Sequence, residues 1–368
     1  MKNILVVVLF CLSFFNDIFG QAYSAQGLER TDSLENLEYP YIFPIYGADA
    51  AKLGYKLPYS AGIGINYLWQ NSDLIIDNLN IGFNNGPMQN LDEIIRFNDA
   101  QSSASAVNLR PDLWLFPFLN VYGIFAHAKT STEINAGIWL PDTANVWQEL
   151  TALATTANFD ATTFGVGVTP TFAVTGWWIA LDMNVAWTDV SALDEPVFTF
   201  VFGPRMGKTF KLNEEDMNIA LWFGGFRVKF SSSTNGSLNL SELFNLGDLQ
   251  ARVDQGFITV DVAQANLDAW WNSLTPIEQQ KPANKAKYET GTRTIEKAGN
   301  ILTSLDGALS NAESSTVQYS LDKTNKNKWN IIVGSQFQLN KHWQLRAEYG
   351  FLGSRHQFIG GVQYRFGF

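Results

Sequence analysis

The sequence has almost no cysteine. Cys11 is the single example in 368 residues, and it lies in an apolar stretch near the start. Downstream of it, disulfides and thiol chemistry are excluded. Histidine is nearly as scarce, since His127, His342 and His356 are the whole set. They form no metal motif, and the chain carries no phosphate loop and no dinucleotide fingerprint. No cofactor and no metal is expected. Positive charge is in deficit, with 25 Lys and Arg against 35 Asp and Glu and a net charge of −10. That balance argues against nucleic acid as a partner. Long apolar runs are missing too. No stretch of about 18 apolar residues occurs, so a bundle of membrane helices is excluded.

Apolar and aromatic residues are nevertheless abundant. Hydrophobic content is 46% and aromatic content 14%, with 12 Trp and 27 Phe. Mean hydropathy is still only −0.06. Apolar residues that alternate with polar ones give this average, and membrane strands alternate in this way.

The last stretch shows the pattern most plainly. From Gln357 to Phe368, the residues Phe358, Gly360, Val362, Tyr364, Phe366 and Phe368 are apolar or small, and Gln363 and Arg365 fall between them. This is a period-two strand with one apolar and one wet face. Trp177 to Thr188 repeats it. Trp177, Ile179, Leu181, Met183, Val185 and Trp187 share a face, against Asp182, Asn184 and Thr188. Ten residue steps at ~3.4 Å and a ~45° tilt span roughly 24 Å along a membrane normal. The apolar band of a membrane barrel is about 25 Å tall, with aromatics at both rims. Trp177, Trp187, Tyr364 and Phe368 are therefore read as membrane-interface aromatics.

The C-terminal stretch resembles the terminal strand of Gram-negative outer-membrane β-barrel proteins. The resemblance implies an antiparallel transmembrane barrel in the cell outer membrane. It also implies outer-membrane lipid as surroundings and the barrel-assembly machinery as a partner through the last strand. The chain start fits an exported protein. Lys2, the apolar run Ile4 to Phe15 and the small residues around Gly20-Gln21-Ala22 read as a signal peptide over 1–22. Residues 23–58 read as an irregular periplasmic lead-in.

Ten strands are counted, eight of them within the remainder of 59–230 and 329–368, with twelve as the alternative. The two extra strands would be Leu74 to Ile81 and Thr316 to Leu321. Asn71 to Ser103 is expected to be a long connection with a short helical stretch after Asn90, and Gly137 to Asn158 a polar loop. Short turns at Pro117, Gly176, the Glu214 region and Asn340 fall on one side of the membrane. Longer loops fall on the other. Residues 231–328 break the alternation. Ala263, Leu267, Trp270, Trp271 and Leu274 follow helical spacing, as do Ile295, Ala298, Ile301, Leu302, Leu305 and Leu309. Thr275-Pro276-Ile277-Glu278 is a capping box between them. An inserted helical hairpin on the extracellular side is predicted.

The candidate lumen-lining residues are the polar positions of the alternating strands. They are Arg110, Asp112, Asp182, Asn184, Arg205, Arg227, Lys229, Gln336, Arg346, Glu348, Gln363 and Arg365. Ionisable groups at membrane depth are costly unless they pair or line water. In the strand Asn218 to Phe230, Trp222, Phe226, Val228 and Phe230 are placed outside, Arg227 and Lys229 inside, with a bulge at Gly224-Gly225. Three functions compete. One is a porin-like channel or transporter for a small solute, with the insert as lid or plug. Another is a structural or surface-binding barrel with a closed lumen. The third is a lipid hydrolase at the rim, which needs Ser354, His356 or His127. No catalytic residue is assigned. The first reading is preferred.

Overall fold

The computed structural model describes residues 39–53, 55, 57–141, 147–214, 216–230, 233–244 and 246–368. The signal segment 1–22 and the first part of the lead-in lie outside the described residues. After a short helix α1 (Gly47–Lys52), thirteen strands follow. They are β1 (Ala61–Phe83), β2 (Gln89–Asn90), β3 (Ile95–Phe116), β4 (Leu119–Pro141), β5 (Trp147–Val174), β6 (Trp177–Val190), β7 (Val197–Lys211), β8 (Asn218–Phe230), β9 (Ser233–Asn239), β10 (Thr316–Asn325), β11 (Trp329–Gln338), β12 (Trp343–Leu352) and β13 (Arg355–Phe366).

Ten of these close a barrel, in the order β1-β3-β4-β5-β6-β7-β8-β11-β12-β13. Closure is made by β13 on β1, from Ala61 opposite Phe366 to Asn71 opposite His356. Every pairing in the ring is antiparallel, so the circle has no free edge over its common height.

The barrel is inside-out relative to a soluble protein. Ile65, Val107, Phe164, Trp187, Phe223 and Leu345 are exposed on its outer face. Asp112, Arg205, Glu348, Gln357 and Arg365 are buried inside. An apolar surface this extensive exceeds what a monomer shows to water. It is the surface expected of strands with lipid outside and polar groups inside. No helix of the described residues is long and apolar enough to cross a membrane.

The two ends differ. At one end, the turns are tight. The β5–β6 turn places Thr175 and Gly176 at φ 49° and 80°, the both-positive geometry of the two-residue hairpin turn that twisted strands favour. The chain terminus lies at this end, where the Phe368 carbonyl accepts hydrogen bonds from the Ile42 and Phe43 amides at 2.9 and 3.1 Å. Helix α1, with Ala50 fully buried, packs here, and the Ile45 amide donates to the Leu115 carbonyl. The described part of the lead-in is thus ordered against the barrel end.

At the other end, β3, β4 and β5 run on beyond the ring. The expected connection Asn71 to Ser103 is mostly strand, because β1 continues to Phe83 and β3 begins at Ile95. Leu91 and Ile94 lie in a turn instead of a helix and are buried for tertiary reasons. Likewise Gly137 to Asn158 is largely the extended arms of β4 and β5. Of the two extra strands, Leu74 to Ile81 is the continuation of β1 and Thr316 to Leu321 is the separate strand β10, and their pairing lies beyond the ring. From Leu74 to Phe83, β1 pairs with β10, and β10 pairs with β9.

Between β9 and β10 comes the helical hairpin, with α2 (Leu240–Leu243), α3 (Leu246–Ser273), α4 (Pro276–Gln279) and α5 (Pro282–Leu309). The capping box is formed, with Thr275 Oγ1 accepting from the Glu278 amide and Glu278 Oε2 accepting from the Thr275 amide. Leu267 of α3 and Ile295 and Ala298 of α5 pack on Leu79, Leu91 and Ile94 of the wall. A Cβ on Gly291 would crowd Leu267, and one on Gly256 would crowd Leu302. Each long helix thus presents a glycine to a leucine of the other, which explains two glycines in helix interiors where they carry a cost.

Candidate functional site

The interior has two storeys. At the height of the ring it is polar and locked by ion pairs. Arg205 on β7 reaches Glu348 on β12 through two parallel bonds, Nε to Oε2 at 2.8 Å and Nη2 to Oε1 at 3.0 Å. Its Nη1 lies 3.3 Å from Asp182 Oδ2 on β6. Glu348 also accepts from Trp222 Nε1 at 2.9 Å and from Arg346 at 3.2 Å. Asp182 accepts from the Tyr122 hydroxyl at 2.6 Å and from Thr169 at 2.8 Å. Asn184 donates to the same Tyr122 oxygen at 3.3 Å. Arg110 stacks on the Tyr122 ring, 3.6 Å from its centre.

A second knot lies nearer the tight-turn end. Asp112 holds Arg365 at 3.2 Å and accepts from Asn120 at 2.7 Å and from Gln363. Arg365 also donates to the Tyr59 carbonyl. Arg205, Glu348, Asp112 and Arg365 are almost fully shielded from water, and Asp182 and Arg346 partly so. Bidentate and multiply bonded pairs are the arrangement that offsets such desolvation. The remaining polar space is only about 200 Å³. Glycines let the large rings lie against the wall: Gly167 faces Tyr122, Gly207 faces Trp178 and Gly334 faces Trp222.

Of the twelve residues read as lumen-lining, ten point inward: Arg110, Asp112, Asp182, Asn184, Arg205, Gln336, Arg346, Glu348, Gln363 and Arg365. Arg227 and Lys229 lie on the outer face. The β8 register is continuous through Gly224-Gly225, without a bulge, and puts Trp222 and Phe226 inside. The strand begins apolar on both faces, so hydrophobicity could not fix its parity. Two things do. The Trp222 N–H needs an acceptor and finds Glu348, while Arg227 sits beside Trp329 at the rim, where its charge stays wet. Trp177, Trp187, Tyr364 and Phe368 are all exposed.

The hydrolase residues are not assembled. Ser354 takes a bond from Asn327, and His356 pairs with the Tyr349 hydroxyl. His127 lies 3.9 Å from Asp160 on an exposed face. His342 meets the Arg365 carbonyl in a turn.

Above the ring the interior changes character. An apolar chamber of about 620 Å³ opens between the extended strands and the helical hairpin. Ile76 and Ile81 of β1, Ile134 of β4, Phe159 of β5, Val253 of α3, Leu302 of α5 and Leu321 of β10 are among its walls. Its ionisable residues are Arg252, Tyr319 and Lys323. The last two lie on β10, outside the ring. Burial, with Asp194 nearby, pushes the Tyr319 hydroxyl up to about 12, and its O–H bonds the Ala192 carbonyl at 3.1 Å. Burial lowers the Lys323 ammonium below its ordinary value. The helical stripes were legible in the sequence, but the chamber was not, since its walls come from ten segments far apart in the chain.

No family model matches the chain, and no curated protein matches it. Solved structures do, and they are outer-membrane barrels. One is the β domain of the Bordetella autotransporter BrkA, at 8% identity over 83% of this chain and 100% of that one, with a TM-score of 0.35. The translocator domain of the autotransporter NalP from Neisseria meningitidis has 8% identity over 83% and 88%, with a TM-score of 0.32. A Pseudomonas aeruginosa FadL homologue has 6% identity over 89% and 96%, with a TM-score of 0.27. These likenesses carry nothing beyond the barrel architecture, which the strand register establishes by itself. The chain has the architecture of an outer-membrane β-barrel protein.

Proposed function

We propose that this chain resides in a Gram-negative outer membrane and admits a small solute, with the helical hairpin as its lid. One observation carries the reading. An apolar chamber large enough for a small ligand lies directly over the barrel mouth, and the hairpin roofs it. Ligand chambers are commonly about 300–1,000 Å³ and mostly apolar. Side chains of two knots, Arg205–Glu348–Asp182 and Asp112–Arg365, fill the lumen at ring height, so a path through it needs rotamer changes in both.

A second reading, a surface-binding barrel with a permanently closed lumen, is favoured by how completely that knot satisfies its charges. Uptake of radiolabelled small solutes into proteoliposomes decides between them. The transport reading expects saturable uptake above protein-free liposomes. No uptake of any apolar or amphiphilic probe would leave the surface-binding reading in place.

A further inference from the structure

The chamber lining holds two cations, Arg252 and Lys323, and no carboxylate. That is unexpected in a chain of net charge −10. Lys323 stands opposite Ile76 on the β10–β1 pair, with its side chain partly buried in the chamber wall. Among the described residues it has no ion-pair partner. A partly buried ammonium in an apolar wall without a counter-ion carries a cost that an incoming anion would offset.

The wall beside it is split. β3 pairs with β1 only up to Asp73 opposite Gln101; beyond that, β1 turns to β10 while β3 continues with β4. The seam is lined on both sides by Leu74, Ile76, Ile95 and Phe97, which border the chamber within and a cleft without. Four apolar residues of the seam thus face the chamber within one strand of Lys323, while the cleft outside also carries Asp73, Asp77, Asp92, Asp99, Arg96 and Lys326.

We propose that the chamber binds a single-chain anionic amphiphile, its apolar body between hairpin and wall and its anionic head on Lys323 beside the β1–β3 seam. This names a substrate class for the transport reading and rests on that reading only in making the bound molecule a cargo. The volume suits one small ligand, and the lining is mostly apolar, with Lys323 and Arg252 as its two cations beside several hydroxyls and Gln255.

The test is a titration of the full chain in lipid nanodiscs with dodecanoate, and in parallel with uncharged dodecanol. The expected result is saturable one-to-one binding of dodecanoate, about tenfold tighter than dodecanol. Lys323→Met should abolish that difference and leave dodecanol binding unchanged, and Lys323→Arg should restore it. Heat-modifiable gel mobility reports that each variant is folded. Absence of saturable dodecanoate binding, equal affinity for the alcohol, or undiminished dodecanoate binding by Lys323→Met would each overturn the proposal. So would saturation of the chamber by the two-chain nanodisc lipid in native mass spectra. Binding without uptake would leave this inference standing and remove the transport reading; uptake without saturable binding would do the reverse.

Discussion

Glu348 is the residue on which the lumen turns. It accepts from Arg205, Arg346 and Trp222 at once. Glu348→Gln leaves the buried Arg205 with Asp182 alone and the partly buried Arg346 without its counter-charge, and breaking a buried pair from one side costs about 3–5 kcal/mol. Thermal loss of the compact, heat-modifiable form should shift down by a corresponding amount; an unchanged transition would mean the knot is wet and weak. The double variant Arg205→Met with Glu348→Met removes both charges, so its loss should be well below the sum of the singles. Residues of this kind were legible where a strand alternated strictly, as at Asp182 and Glu348. Trp222 was not, because β8 opens apolar on both faces, and only a tertiary partner for its N–H decides which way it points. Lys323 was invisible for a different reason. Nothing in the local pattern says that a lysine on an alternating stretch will face a chamber built by other segments.

The hairpin is an element hung on a strand pair. Asn239 and Thr316 stand directly opposite on β9 and β10. Replacing 240–315 by a two-residue Asn-Gly turn should therefore leave the barrel folded, since that loop length suits antiparallel strands. Heat-modifiable mobility checks it, and a barrel that fails to assemble would show the hairpin to be part of the fold.

Within the hairpin, Leu267→Ala removes the leucine that α3 seats against α5 and the wall. A core truncation of this kind costs about 2–5 kcal/mol. Proteases should then cut the hairpin while sparing the barrel. The turn between the helices has its own signature. The Thr275 amide and hydroxyl hold the Glu278 carboxyl below its ordinary value of 4.5. Its contribution is fully present above that value and is lost as pH falls through the lowered one. The protection factor of the Thr275 amide, whose N–H the Glu278 carboxylate accepts, should hold from neutral pH to about 5 and fall only in stronger acid. Both helical stripes and this capping box were readable from spacing alone. The extension of β1, β3, β4 and β5 beyond the membrane band was not, because loops and half-buried strands share polar, small-residue composition there.

At the scale of the whole molecule, a locked lumen lies beneath a roofed chamber. Steady ion conductance of the wild type in a planar bilayer should be close to that of bare lipid, since the lumen space left at ring height is small. A persistent open-channel current would place the knot in a minor state. If the hairpin is the proposed lid, locking it should shut off solute access. Lys297 on α5 bonds Glu93 in the β2–β3 turn at 3.0 Å, and Cys11 is the only native cysteine. Glu93→Cys with Lys297→Cys can therefore be bridged by a bis-methanethiosulfonate reagent and released by reductant, while dodecanoate uptake into proteoliposomes is followed. Uptake should stop on bridging and return on release. Uptake unaffected by the bridge, or no uptake in any state, would contradict the proposed lid.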